Sequence, residues 1–264
     1  MKFNVITLMP ELIKSTMSYG VVGSSFSKNI CNLNIVNPRD FTSDVHQTID
    51  DRPFGGGDGM LMMVEPLEKS LKSLNLQTNE DVYFLSPQGE KFNDSLSKEW
   101  SQKKELTLIC GRYGGVDQRF LVKNKIKEIS IGDYVLSGGE LGAAVIMDSV
   151  IRKIPGVLGH SSSADQDSFS GEGFLESPYF TRPREYEGLS VPEKLLSGDH
   201  KKVEEYRYIS SVLVTLAKRP DLLRDKIIEW EVVKEALHAM SEEEAFVCGF
   251  DKKDLTGKIK KVDV

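Results

Sequence analysis

Three short apolar segments each run directly into a glycine-bearing loop, and this repeated pairing constrains the fold more than any other feature. Val82–Leu85 leads into Ser86-Pro87-Gln88-Gly89. Leu106–Cys110 leads into Gly111-Arg112-Tyr113-Gly114-Gly115, and Ile126–Ile131 leads into Gly132-Asp133-Tyr134-Val135-Leu136-Ser137-Gly138-Gly139. Short apolar runs closed by turn residues read as buried strands. In an open α/β sheet, ligands bind beyond the carboxyl ends of strands, where glycine lets main chain approach the ligand closely. One such loop is adequately explained as a tight turn. Three together predict a single pocket lined by backbone N–H and C=O groups.

The rest of the chain supports an α/β reading. Phe3–Leu8 and Leu33–Val36 are further strand candidates, the second closed by Asn37-Pro38. Pro10 marks a helix start and Gly20 its end, and Glu140–Arg152 has the length and period of a helix. Strands alternating with helices predict a mainly parallel sheet in a domain spanning residues 1–159. Residues 160–173 are rich in Ser, Asp and Gly and predict a flexible linker. Residues 174–264 predict a small all-helical domain, with apolar spacing over Glu204–Leu216 and Ile227–Met240.

Charge restricts what such a protein binds by bulk attraction. The net charge is −6, from 34 basic and 40 acidic residues, while residues 201–264 are neutral with 13 of each. Diffuse attraction to nucleic acid or an anionic membrane is therefore disfavoured, and RNA binding would rely on shape and a few arginines. Cys31, Cys110 and Cys248 are widely spaced and read as reduced thiols of a cytoplasmic protein. The four histidines make no ligand pattern, so no metal site is predicted. No apolar run reaches membrane-spanning length, and Met1–Met9 is broken by Asn4 and Thr7, unlike a signal peptide. The glycine loops contain no phosphate-binding spacing. A neutral, main-chain-lined cavity suits an adenosine-bearing cofactor without a phosphate chain, such as S-adenosylmethionine.

Several segments taken in order carry a resemblance. They are Asp50-Asp51-Arg52-Pro53-Phe54-Gly55-Gly56-Gly57-Asp58-Gly59-Met60-Leu61-Met62-Met63, Leu85–Gly89, Cys110–Asp117, Ser130–Leu141, Ile154–Gly159, Asp167-Ser168-Phe169 and Pro178–Pro183. Together they resemble the bacterial tRNA (guanine-N1-)-methyltransferase family, which methylates the guanosine 3′ to the anticodon. The resemblance runs from Phe3 to about Leu223. It implies a trefoil-knotted SPOUT methyltransferase domain, an exception to the rule that chains are unknotted. It also implies a homodimer with its active site between subunits and a helical C-terminal domain that grips the tRNA anticodon stem-loop.

Residue roles follow from that resemblance. Guanine N1 carries a proton, so methylation needs a base at N1 and positive charge near O6. Asp167 matches the base and Arg152 the group at O6, although a linker aspartate is ordinarily a turn residue and a helix-ending arginine ordinarily complements the dipole. The cofactor is expected against Leu85, Ser86, Pro87, Gly111, Tyr113, Gly115, Ile131, Gly132, Asp133, Tyr134, Val135, Leu136, Gly138 and Gly139. Asp50, Arg52, Arg182 and Arg184 are the tRNA candidates, with Lys201 and Lys202 also weighed. Gly55–Gly59 and the methionines after it read either as a turn into the core or, with the resemblance, as a hinge at the dimer interface.

One position departs from the pattern: Gly114 stands where the family has a glutamate, which weakens an expectation of Mg2+ dependence. It also gives weight to one alternative, a catalytically impaired knotted RNA-binding protein, which stands beside another, a methyltransferase with a different RNA target. A fourth reading, a module for a phosphorylated nucleotide, lacks its phosphate loop.

Overall fold

A computed structural model describes residues 1–159 and 167–262. The chain divides into two compact units, Met1–Ser161 and Ser162–Val264. The first is built on five parallel strands in the order β2-β1-β6-β5-β7, formed by β1 (Lys2–Ile6), β2 (Asn32–Val36), β5 (Val82–Lys91), β6 (Glu105–Ile109) and β7 (Lys127–Ser130). A two-residue antiparallel pair, β3 (Asp50–Asp51) with β4 (Leu61–Met62), lies apart from this sheet.

Both faces of the parallel sheet are covered, as its near-continuous apolar strands require. Phe3, Val5, Leu106 and Leu108 pack with Trp100, Ile146, Met147 and Val150 on one side. These come from α4 (Asp94–Trp100) and α6 (Glu140–Arg152), alongside α1 (Pro10–Thr16) and α2 (Gly20–Ser27). Ile6, Phe84 and Ile109 pack on the other side against Leu67 and Leu71 of α3 (Val64–Ser73) and Phe120 of α5 (Gln118–Asn124). In α6 the buried residues Ala143, Ile146, Met147, Val150 and Ile151 repeat every three to four positions, while Leu141 and Val145 are exposed.

Two local expectations are corrected. Gly20 does not end the first helix: α1 stops at Thr16, and Gly20 opens α2. The chain turns there because Gly23 sits tightly on Ser18, where a Cβ would fall on the Ser18 carbonyl. Ser86–Gly89 does not close its strand either. The pairing of β5 with β7 shifts between Leu85 and Glu90, so these four residues bulge outward before the strand resumes. Gly89 makes the bulge fit, since a side chain there would strike the Glu128–Ile129 backbone.

The second unit has its own core. Tyr206, Ile209, Val212, Leu213 and Leu216 of α8 (His200–Lys218) pack with Val233 and Leu237 of α9 (Trp230–Ala239), Ala245 of α10 (Glu242–Val247), and Leu255 and Ile259 of α11 (Lys252–Val262). A short helix, α7 (Glu193–Leu196), precedes them. This unit is not all-helical, because β8 (Glu185–Tyr186) and β9 (Leu189–Ser190) form a hairpin. Glu187 and Gly188 both take positive φ, the conformation that closes a two-residue hairpin loop.

The expected linker falls partly outside the described residues, which omit 160–166. Its remainder is hydrogen-bonded turn rather than featureless chain. The Ser170 N–H donates to Asp167 O at 3.1 Å, Phe169 N–H to Phe174 O at 2.8 Å, and Glu176 N–H to Ser168 Oγ at 3.0 Å. Leu175 then docks on α8 through its N–H to Thr215 Oγ1 at 2.9 Å.

Candidate active site

The bulge within β5 and the loops that follow β6 and β7 line a pocket of about 370 Å³. Thirteen of the fourteen residues expected at the cofactor line it: Leu85, Ser86, Pro87, Gly111, Tyr113, Gly115, Ile131, Gly132, Tyr134, Val135, Leu136, Gly138 and Gly139. Asp133 does not. Its carboxylate pairs with Lys91 Nζ at 2.6 Å on the surface.

Close packing of main chain shapes the walls. The Gly139 N–H donates to Gly111 O at 3.0 Å, so the segment after β7 reaches the segment after β6, although β5 lies between those strands. A Cβ on Gly139 would lie 2.8 Å from Cys110 Cα and 3.0 Å from Leu85 Cβ. A Cβ on Gly111 would lie 2.8 Å from the Phe84 ring. Ser86 Oγ accepts the Gln88 N–H at 3.1 Å, which orders the bulge. The Cys110 thiol beneath is completely buried, and that burial holds its pKa well above the ordinary thiol value.

The loop after β6 is also tied to the fourth glycine cluster. Gly114 N–H donates to Met60 O at 2.8 Å and Met62 N–H to Gly115 O at 2.9 Å. Met62 is fully buried and so carries this segment into the core, while Gly55–Gly59 before it are exposed. A Cβ on Gly114 would stand 3.1 Å from Met60 O and 3.4 Å from Leu61 Cδ2. Tyr113, at φ +59°, accepts from Arg39 Nη2 at 3.4 Å through its hydroxyl, and Arg39 Nη1 donates to Gln47 O at 3.1 Å.

Sequence patterns had not singled out the charged group behind the pocket. Arg112 Nη2 stands 2.9 Å from Glu140 Oε2, with the Glu140 side chain only 1% exposed. Arg112 lines the pocket, as do Gln88, Gln118 and Glu128, which sequence reading also missed. A charged residue directly after Gly111, within a glycine-bearing loop, was the available signal for Arg112. Glu140 had one too, as a carboxylate in the first turn of α6.

The catalytic and tRNA candidates are distributed over both units. Arg152 ends α6 in the first unit, and Asp167 opens the turn segment of the second. Asp50 lies in β3 and Arg52 just beyond it, exposed; Arg182 and Arg184 are exposed on either side of Pro183 in the second unit. Among the described residues, no three His, Cys, Asp or Glu side chains converge as a metal cluster. None of the described helices is long and apolar enough to cross a membrane.

A doubly covered parallel sheet with a concave pocket beside the β5 bulge and the loops after β6 and β7 defines an α/β protein with a cavity where such sheets place small-molecule sites. Residues 1–225 match the family described as tRNA (Guanine-1)-methyltransferase TrmD, and the chain belongs to that family. Proteins named tRNA (guanine-N(1)-)-methyltransferase are similar over nearly their whole length. That of Actinobacillus succinogenes is 45% identical over 245 residues, covering 92% of this chain and 99% of its own. Those of Shewanella halifaxensis and Carboxydothermus hydrogenoformans are each 46% identical, covering 89% and 88% of this chain and 95% and 93% of their own.

Proposed function

We propose that this protein transfers a methyl group from S-adenosylmethionine to N1 of the guanosine 3′ to the anticodon in tRNA. The carrying observation is the family match over residues 1–225, which includes every segment that builds the pocket.

The pocket suits the cofactor. Its volume of about 370 Å³ falls in the range of small-molecule sites. Its walls are backbone and apolar side chain where Gly111, Gly138 and Gly139 leave no room for a Cβ. Such walls offer directional N–H and C=O partners to a purine and ribose, and the guanidinium of Arg112 in the lining is paired with Glu140. Leu85, Gly111, Ile131, Gly132, Tyr134, Leu136, Gly138 and Gly139 would hold it through main chain, with Pro87 and Tyr113 as walls. When bound, it supplies an electrophilic methyl group whose leaving group departs as a neutral thioether.

The chain's own work is then to prepare guanine. Asp167 takes the N1 proton, giving the ring nitrogen its nucleophilic lone pair, and Arg152 stabilises the negative charge that this places on O6. Asp50 and Arg52 position the anticodon loop, and Arg182 and Arg184 hold its phosphates.

The wider architecture of this reading is a trefoil knot through the pocket loops, supported by the Gly139–Gly111 link across β5. Residues 1–159 form the catalytic domain, 160–173 the linker and 174–264 the tRNA-gripping domain. Two chains act as a homodimer with the active site at their interface, for which the exposed Leu141 and Val145 on α6 offer an apolar face. Labelled-methyl transfer onto unmodified tRNA tests the function: incorporation from S-adenosylmethionine is expected, and none at saturating cofactor contradicts it.

A further inference from the structure

Glu140 lies outside the pocket wall yet bonds both to Thr7 after β1 and to Arg112 in the loop after β6. Its Oε1 accepts from Thr7 Oγ1 at 2.7 Å and from Arg112 Nε at 3.2 Å. Its Oε2 stands 2.9 Å from Arg112 Nη2. Arg112 Nη1 in turn donates to Ser137 O at 3.3 Å. One carboxylate therefore joins the end of β1, the loop after β6, the loop after β7 and the first turn of α6. Removing a carboxylate from water this completely is costly unless charge and hydrogen bonds offset it. Here a guanidinium fork, a hydroxyl and the positive end of a thirteen-residue helix do so.

Gly138 shows how closely the loop is fitted to this pair. A Cβ there would stand 2.6 Å from Glu140 Oε2 and 2.7 Å from Arg112 Cδ. The pocket-lining backbone at Ser137–Gly138 is thus seated directly on the ion pair. By contrast Tyr134 and Val135, in the same loop, are largely exposed.

We propose that Glu140 is a positioning residue for the methyl donor: acting through Arg112 and supported by Thr7, its charge fixes the spacing of the two loops that clasp the cofactor. The proposal rests on the methyltransferase reading. An ion pair of purely structural purpose would change stability alone. A positioning pair changes cofactor affinity and leaves the methyl-transfer step nearly untouched, because none of its members but Arg112 borders the pocket.

Thr7 is the cleanest probe, being a buried residue away from the pocket wall. Thr7→Val removes the hydroxyl that donates to Glu140 and accepts the Met9 N–H, and Thr7→Ser keeps both bonds. In the full-length protein with saturating tRNA, Thr7→Val should raise the KM for S-adenosylmethionine about fivefold and Glu140→Gln about tenfold, with kcat within about twofold of wild type. Thr7→Ser should restore the wild-type KM. Calorimetric Kd values for the cofactor should move in parallel. Wild-type KM in both Thr7→Val and Glu140→Gln, with only a lower Tm, would overturn the proposal, and either variant suffices if the other fails to fold. Absence of cofactor binding by wild type would overturn the methyltransferase reading itself, an outcome distinct from any ratio between variant and wild type.

Discussion

The backbone N–H of Gly139 donates to the carbonyl of Gly111 at 3.0 Å, joining residues that follow β7 and β6, two strands separated in the sheet by β5. That bond ties together two of the loops that line the pocket, at a position where a side chain would clash. Gly139→Ala would place a Cβ 2.8 Å from Cys110 Cα and 3.0 Å from Leu85 Cβ, neither of which can swing aside. The expected cost is about 1–3 kcal/mol of stability with a clear loss of cofactor affinity. Gly20→Ala differs in kind, because no described residue lies within 4 Å there and its cost comes from the positive φ alone; Gly159→Ala, with no described residue within 4 Å, should change stability by less than about 0.5 kcal/mol. Urea unfolding and cofactor calorimetry on the Gly139 and Gly159 variants check this, and equal effects would contradict it.

A second prediction concerns pH. Glu68 of α3 accepts from Asn124 Nδ2 at 2.8 Å and pairs with Lys123 at 3.0 Å and Lys72 at 3.2 Å. The Asn124 hydrogen bond, then the two lysines, hold its carboxyl at about 2, against an ordinary 4.5. A carboxyl lowered in the folded state contributes stability that is complete above pH 4.5 and is lost as pH falls toward 2. Glu68→Gln should therefore cost about 1–2 kcal/mol at pH 7, and the gap should shrink on acidification through that window. A gap independent of pH in urea titrations would contradict the assignment.

Thiol reactivity gives a third. Cys31, Cys110 and Cys248 are free and buried, and desolvation raises all three pKa values. At pH 8 the native protein should react with an aromatic disulfide reagent only at the rate of unfolding, while the denatured chain should release three equivalents. Rapid labelling of the folded protein would show that one of these sites opens.

The pocket was legible in the sequence because its signal is local. A strand's apolar run and the glycines after it are neighbours in the chain, so Leu85, Gly111 and Gly139 were identified without knowing the strand order. Partnerships across long separations were not legible. Glu140 reads as a good first-turn helix residue, and nothing near it reveals that Arg112 and Thr7 wait there. The pairing of Asp133 with Lys91 is not legible either, because a loop carboxylate looks the same in sequence whether it faces a pocket or a lysine. Gly20 was misread because a glycine can end one helix or admit the next, and the close approach of Gly23 to Ser18 decides which. The β8–β9 hairpin had a signal in Glu187-Gly188, but strands of two residues are too short to show alternation.

Catalysis by the named base has its own test. Asp167→Asn keeps the side chain's shape while removing its ability to take a proton. Turnover should fall by about two to four orders of magnitude, with the Kd for S-adenosylmethionine unchanged within about twofold. Retained turnover would assign the base elsewhere.

The most direct measurement compares labelled-methyl transfer to two tRNA transcripts that differ only at the nucleotide 3′ to the anticodon, guanosine in one and adenosine in the other. Stoichiometric incorporation into the first and none into the second is the predicted result. Equal incorporation into both, or none into either at saturating S-adenosylmethionine, would contradict it.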